Sequence, residues 1–197
     1  MRILIVDCDD SFTMNIYDSI ATYDVDVEVI NHKEILLSSI SSIPYDAIVL
    51  SPGPNEPNHI PILNDLINHY KHSIPILGIC LGHQALGIHF GYELKPSIEP
   101  MHGISVPITC ISDPIFEGID CSDFQVMRYN SLALVQGDSS DFYPICRLNN
   151  GEIMGCKHAQ FPIYSFQFHP ESIGTPQGSI LIRNWVDFVR KGIKLLN

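Results

Sequence analysis

The chain has 197 residues, of which 45% are hydrophobic and 17% charged, so it is a folded chain rather than a disordered one and can bury a substantial core in one domain. Its formal charge of −11 argues against a nucleic-acid backbone or an anionic membrane surface as main partner, since both need basic surface. No apolar run reaches the length needed to span a bilayer.

Residues 2–7 form a short apolar run that ends at Asp7, too short for a signal-peptide core and consistent with a first strand. Nothing marks the chain for export, so a cytoplasmic, reducing compartment is expected. Asp10 or Ser11 is placed to cap a helix running to about Tyr23. Residues 25–30 alternate apolar residues with Asp26 and Glu28 and read as a strand exposed on one face. A weaker helix covers 33–40. A third strand, 46–50, ends in Ser51-Pro52-Gly53-Pro54, which must be a loop. A helix over 60–71, a strand over 75–79 and a helix over 83–90 follow, with Gly91 as the stop.

This alternation of strand and helix predicts an α/β fold: an open, mostly parallel sheet with helices on both faces. The second half differs. Residues 104–111, 124–129, 143–148, 153–158 and 163–168 read as short strands with turns such as Asn149-Asn150-Gly151 between them. Some of these pair antiparallel in the expected fold. A last helix over 178–194 carries Ile182, Trp185, Val186 and Val189 on one face. There is no internal repeat and no interdomain linker, so one domain over 1–197 is expected.

Six cysteines are present, with no CxxC pair and no zinc spacing. Most read as small buried hydrophobes. Cys80 is different. The run Gly78-Ile79-Cys80-Leu81-Gly82 follows an apolar strand and opens a helix, the geometry of a nucleophile elbow with sulfur in place of oxygen. So sharp a turn requires very small residues two before and two after the nucleophile. A cysteine at a helix N-terminus meets free N–H groups and the positive end of the dipole, which favour thiolate over thiol. The alternative, an inert cysteine buried in a tight turn, leaves the two glycines at these spacings unexplained.

Acyl transfer also needs oxyanion donors. The elbow supplies the N–H of Leu81, and the loop at Gly53 lies at the carboxyl end of a strand, where open parallel sheets build their sites. A thiol nucleophile needs a base that later protonates the leaving amine. Of nine histidines, His169 stands out at the end of the apolar run 163–168. In extended chain Glu171 would lie on the same side as His169, with Cα atoms roughly 6.5–7 Å apart, and could orient the imidazole. His83 reads as a capping or packing residue of the helix after the elbow. His32, His59, His69 and His72 read as surface residues, while His89, His102 and His158 stay unassigned. No HxH or HExxH pattern supports a metal site.

Together these motifs resemble the triad-type, class-I glutamine amidotransferases, and within them component II of anthranilate synthase or aminodeoxychorismate synthase. The resemblance runs from Asp7 to Ser172. It rests on Asp10-Ser11-Phe12-Thr13-x-Asn15, Ser51-Pro52-Gly53-Pro54, the run from Gly78 to Gln84, Tyr129-x-Ser131-Leu132, and His169-Pro170-Glu171-Ser172. It implies Cys80 as nucleophile, His169 as base and Glu171 as its partner. Gly53, Pro54, Asn55 and Leu81 would surround the oxyanion and the glutamine side chain. Gln84, Ser131 and Leu132 would grip the amino-acid end of L-glutamine. It implies no cofactor and, as the partner that receives ammonia, a separate chorismate-binding synthase subunit.

Three positions depart from the family pattern: Asn55 where GPG ends in glycine, Asn130 where histidine precedes the serine, and Cys8 where asparagine follows the first acid. They bear on glutamine affinity and partner docking. Two other readings of the same residues stand beside this one: a stand-alone γ-glutamyl thiol hydrolase, and a catalytically silent regulatory subunit.

Overall fold

The computed structural model describes residues 1–137 and 140–196. β1 (Arg2–Asp7), α1 (Thr13–Ala21), β2 (Asp26–Asn31), α2 (Leu37–Ile40), β3 (Ala47–Leu50), α3 (Pro61–Tyr70), β4 (Ile76–Ile79) and α4 (Leu81–His89) alternate as expected. Then come β5 (Glu93–Pro96), β6 (Ile104–Cys110), β7 (Phe124–Arg128), β8 (Leu132–Val135), β9 (Phe142–Arg147), β10 (Ile153–His158), β11 (Ile163–Phe166) and α5 (Gly178–Leu196).

Among the described residues one nine-stranded sheet runs β2-β1-β3-β4-β11-β10-β9-β6-β7. The strands from β2 to β11 in that order pair in parallel, and the rest pair antiparallel. The fold is the expected open α/β sheet. Its antiparallel part continues the parallel sheet through β11, which pairs parallel to β4 on one side and antiparallel to β10 on the other. β5 and β8 form a separate two-stranded ribbon.

Side-chain alternation sorts each central strand between two cores. Ile3 and Ile5 face a core with α1 and α5, which contribute Ile16, Ile20, Ile182, Trp185 and Val189. Leu4 and Val6 face the other, where Ile40, Leu63, Leu66, Ile67 and Leu86 of α2, α3 and α4 pack. Strands buried on both faces read as unbroken apolar runs, which is how β1, β3 and β4 appear.

Two local expectations change, and two strands are added. Neither Asp10 nor Ser11 caps α1. The Asp10 carboxylate instead accepts from the Phe12 N–H at 2.8 Å and closes a turn, while Asp7 takes the Thr13 hydroxyl at 2.8 Å. The helix expected over 33–40 shrinks to α2, as residues 31–34 form a turn with the Glu34 N–H bonded to Asn31 O. β5 and β8 were not legible: β5 is short, mostly exposed and contains Pro96.

Candidate active site

β4 enters α4 through a single residue, Cys80, with φ 52° and ψ −100°. A non-glycine residue at positive φ costs about 1–3 kcal/mol and persists only where its surroundings over-determine it. Here the packing is that tight. A methyl group on Gly78 would lie 2.5 Å from the Gly82 carbonyl oxygen, and one on Gly82 would lie 2.2 Å from that of Leu50. Both glycines are therefore required by close approach of backbone, as the motif demanded. The Cys80 N–H donates to Phe166 O at 2.8 Å, tying the elbow to the end of β11. Cys80 is partly exposed, unlike the buried Cys8, Cys146 and Cys156.

His169 lies just past β11. Its N–H donates to Met127 O at 3.0 Å, and its carbonyl accepts from the Thr175 hydroxyl at 2.7 Å. Its Nδ1 and Glu171 Oε1 are 2.7 Å apart, and both side chains are almost wholly buried. The contact forms differently from the extended-chain expectation. The Ser172 N–H bonds back to His169 O at 3.2 Å, so residues 169–172 make a turn with Pro170 at its second position. That bend brings imidazole and carboxylate together more closely than an extended chain would.

Phe12 and Tyr129 flank the ring edge-on, with centroids 5.4 Å and 4.9 Å from it, and shield it from water. Burial pushes the His169 pKa down. Cys80 and Glu171 together outweigh burial and raise it to about 10. The nearby sulfur favours the protonated ring without a hydrogen bond of good geometry, since Nε2 is buried and has no such partner. Cys80, whose sulfur lies near this ring, lines the wall of a cavity.

That cavity has a volume of about 380 Å³ and is lined by Cys80, Gln84, the loop 53–56 and the segment 129–132. Of the residues expected around the substrate, Gly53, Pro54, Asn55, Gln84, Ser131 and Leu132 all line it. Leu81 buries its side chain and, as the first residue of α4, brings its N–H to the open helix end beside Cys80. Gln84 is already engaged. Its Nε2 donates to Leu132 O at 3.2 Å and to Gln167 Oε1 at 3.1 Å, which leaves its own oxygen as the group free to meet a ligand.

The departures from the family pattern fall in different places. Asn55 sits at the mouth with φ 65°, a conformation asparagine tolerates. Cys8 is fully buried beneath the loop: a methyl on Gly53 would meet its carbonyl oxygen at 2.6 Å. It faces neither ligand nor solvent, and burial pushes its thiol up to about 12. Asn130 is buried in the cavity wall.

His83 packs behind the elbow, fully buried, with Nδ1 2.8 Å from the Ser165 hydroxyl, and burial lowers its pKa to about 3. It is a packing residue, as read. His59 is exposed, as read, and with Glu56 it also lines the cavity mouth. His102 also lines it, 2.9 Å from the Ser131 hydroxyl. Sequence reasoning missed Gln167, whose Nε2 donates to Cys80 Sγ at 3.6 Å, and the ion pair of Arg128 with Glu152. A signal existed. Gln167 interrupts an apolar run, and Arg128 occupies the buried parity of β7, after Phe124 and Val126.

The profile of the family "Glutamine amidotransferase class-I" matches residues 4–188. This chain is a class-I glutamine amidotransferase. It is 39% identical over 186 residues to the aminodeoxychorismate synthase component 2 of Escherichia coli (strain K12), covering 93% of this chain and 98% of that one. It is 34% identical over 189 residues to the anthranilate synthase component 2 of Thermus thermophilus, covering 95% and 92%. A Bacillus subtilis relative named aminodeoxychorismate/anthranilate synthase component 2 is 34% identical over 193 residues, covering 97% and 98%. In structure this amidotransferase superposes on a Thermoplasma acidophilum protein described as a GMP synthase subunit, with a TM-score of 0.87 at 23% identity over 100% of this chain and 97% of that one. At that identity the likeness concerns the fold. Among the described residues no helix is long and apolar enough to cross a membrane, and no group of three or more His, Cys, Asp or Glu could hold a metal ion.

Proposed function

We propose that this amidotransferase hydrolyses L-glutamine through Cys80, His169 and Glu171 and passes the ammonia to a separate chorismate-aminating synthase. The observation that carries the chemistry is the His169–Glu171 contact of 2.7 Å beside a partly exposed cysteine on a strained elbow. The names of the relatives support the partner class.

In this reading Cys80 Sγ attacks the side-chain amide carbon of glutamine. The developing oxyanion is held by the Leu81 N–H and the loop at Gly53. The C–N bond breaks as His169 gives its proton to the leaving nitrogen, releasing ammonia and leaving a glutamyl thioester. Water then adds to the thioester with its proton returning to His169, the C–S bond breaks, and glutamate leaves. Glu171 keeps the imidazole oriented and favours its charged form. The Gln84 oxygen and the main chain of Ser131 and Leu132 hold the amino-acid end. Ammonia released into bulk water would be protonated and lost as a nucleophile, so delivery needs a docked synthase. The identity of that synthase decides between anthranilate and aminodeoxychorismate.

The purified chain is expected to show weak glutaminase activity that rises sharply when its synthase is added. Strong activity without a partner would instead support a stand-alone γ-glutamyl hydrolase, and none in either condition would support a silent subunit. Asn55→Gly is expected to lower the apparent KM for glutamine by about threefold, because it removes bulk from the mouth and glycine accepts the same φ. An unchanged KM in a steady-state assay would mean that the asparagine stands clear of the substrate.

A further inference from the structure

We infer that a buried polar relay beneath the cavity, running from Glu152 through Arg128 and Asn130 to Gln84 and Gln167, sets the spacing between the glutamine grip and the attacking sulfur. Asn130 and Glu152 act in it as positioning residues. The inference rests on the proposed glutaminase reading and adds to it residues that lie outside the triad.

The two branches of the relay meet at Leu132. In the β5–β8 ribbon the Ser97 N–H bonds to Ser131 O at 2.9 Å, and Pro96 faces Leu132. Hydrogen-bonded and non-bonded positions alternate along an antiparallel pair, so the main chain of Leu132 turns away from β5. Its carbonyl accepts from Asn130 Nδ2 at 3.0 Å and from Gln84 Nε2 at 3.2 Å. One branch leads to the nucleophile: the second Gln84 amide hydrogen goes to Gln167 Oε1 at 3.1 Å, and Gln167 Nε2 reaches Cys80 Sγ at 3.6 Å.

The other branch leads into the core. Asn130 Oδ1 accepts from Arg128 Nε at 3.0 Å, and Arg128 Nη2 donates to Glu152 Oε1 at 2.8 Å. Glu152 is locked in turn by the Ser97 hydroxyl at 2.9 Å and the Ile98 N–H at 2.9 Å. Arg128 is fully buried, and its Nη1 has no partner among the described residues. Glu152 is therefore the carboxylate that balances it, and Asn130 reads out where the pair sits.

Stability alone does not account for this arrangement. A buried ion pair is often no more stabilising than apolar side chains of the same volume, and the parity of β7 already favours an apolar residue at 128. What the pair supplies is direction: Arg128 holds Asn130 Oδ1, Ser97 Oγ and Glu152 Oε1 at once, and the placement of Asn130 is transmitted to Leu132 O and through two carboxamides to sulfur. An error of an ångström between grip and nucleophile would misalign the substrate amide.

The test compares two alkylating reagents on the full-length chain, reading Cys80 by mass spectrometry. Iodoacetamide reports the sulfur itself. The glutamine-shaped electrophile 6-diazo-5-oxo-L-norleucine reports the sulfur together with the grip. In Asn130→Ala and in Glu152→Gln the half-saturating concentration of the glutamine-shaped reagent is expected to rise about tenfold, while the iodoacetamide rate stays within about twofold. Thermal unfolding is measured alongside. Asn130→Ala keeps the Arg128–Glu152 pair, so it decides the matter even where Glu152→Gln does not fold. An unchanged half-saturating concentration in Asn130→Ala overturns the relay, as does an equal loss with both reagents, which would mark general loosening. If the parent chain reacts with iodoacetamide at Cys80 but never saturably with the glutamine-shaped reagent, the glutaminase reading itself falls, and the relay with it.

Discussion

Cys80→Ser is expected to abolish glutamine-dependent synthesis by the reconstituted complex while leaving synthesis from added ammonium salts intact. Serine fits the elbow sterically, so the fold and the docking surface stay as they are. The oxygen, however, is a far weaker nucleophile at neutral pH than a thiolate. Its proton is held far more tightly than a thiol's, and the variant also loses the Cys80 contribution that favours a protonated His169 in the parent. The loss in glutaminase rate should be roughly a thousandfold or more, as for removal of other triad nucleophiles. Ammonia-dependent synthesis does not pass through this cavity's chemistry, so it serves as the internal control for folding and docking. Loss of both activities would mean that the chemistry has been assigned to the wrong residue.

His169→Gln should cost a comparable factor, about a thousandfold, because the leaving nitrogen then lacks its proton donor. It should also change the pH dependence. Cys80 and Glu171 outweigh burial and raise the imidazole pKa to about 10, so the protonated donor persists through neutral pH. Parent activity is therefore expected to fall as the pH rises through about 10, when that proton is lost. The residual activity of His169→Gln should show no such limb. The same raised pKa bears on folding. The proton's contribution to stability is fully present below the unfolded-state value near 6.5 and is lost as the pH climbs towards 10. A pH–rate profile of the parent and the variant at saturating glutamine checks the kinetic claim. An identical alkaline limb in both would take the donor role away from His169.

How much of this was legible depended on whether a feature is local in the chain. The elbow was, because five consecutive residues specify it: an apolar strand, two glycines whose hydrogens are the only groups that fit, and a helix start. The His169–Glu171 pair was also legible, although through the wrong conformation. Spacing alone brought the two residues close, and the turn closed by Ser172 brought them into contact. The caps assigned to Asp10 and Ser11 went to a tighter turn, because Asp7 at the end of β1 bonds the Thr13 hydroxyl. His59 looked like solvent-exposed surface, and it is exposed, but the loop after β3 carries it to the cavity rim.

The chain pattern by itself determined the α/β layering, the elbow and the chemical pair at 169 and 171, because each follows from periodicity or from contacts a few residues apart. Only the tertiary structure decided that Arg128, Asn130, Glu152 and Gln167 form one hydrogen-bonded system under the cavity. Those residues come from β7 and the segment after it, the position just before β10 and the position just after β11. A hydrogen bond between groups distant in sequence depends on how sheet order and register bring them within about 3 Å, and no local pattern encodes that distance.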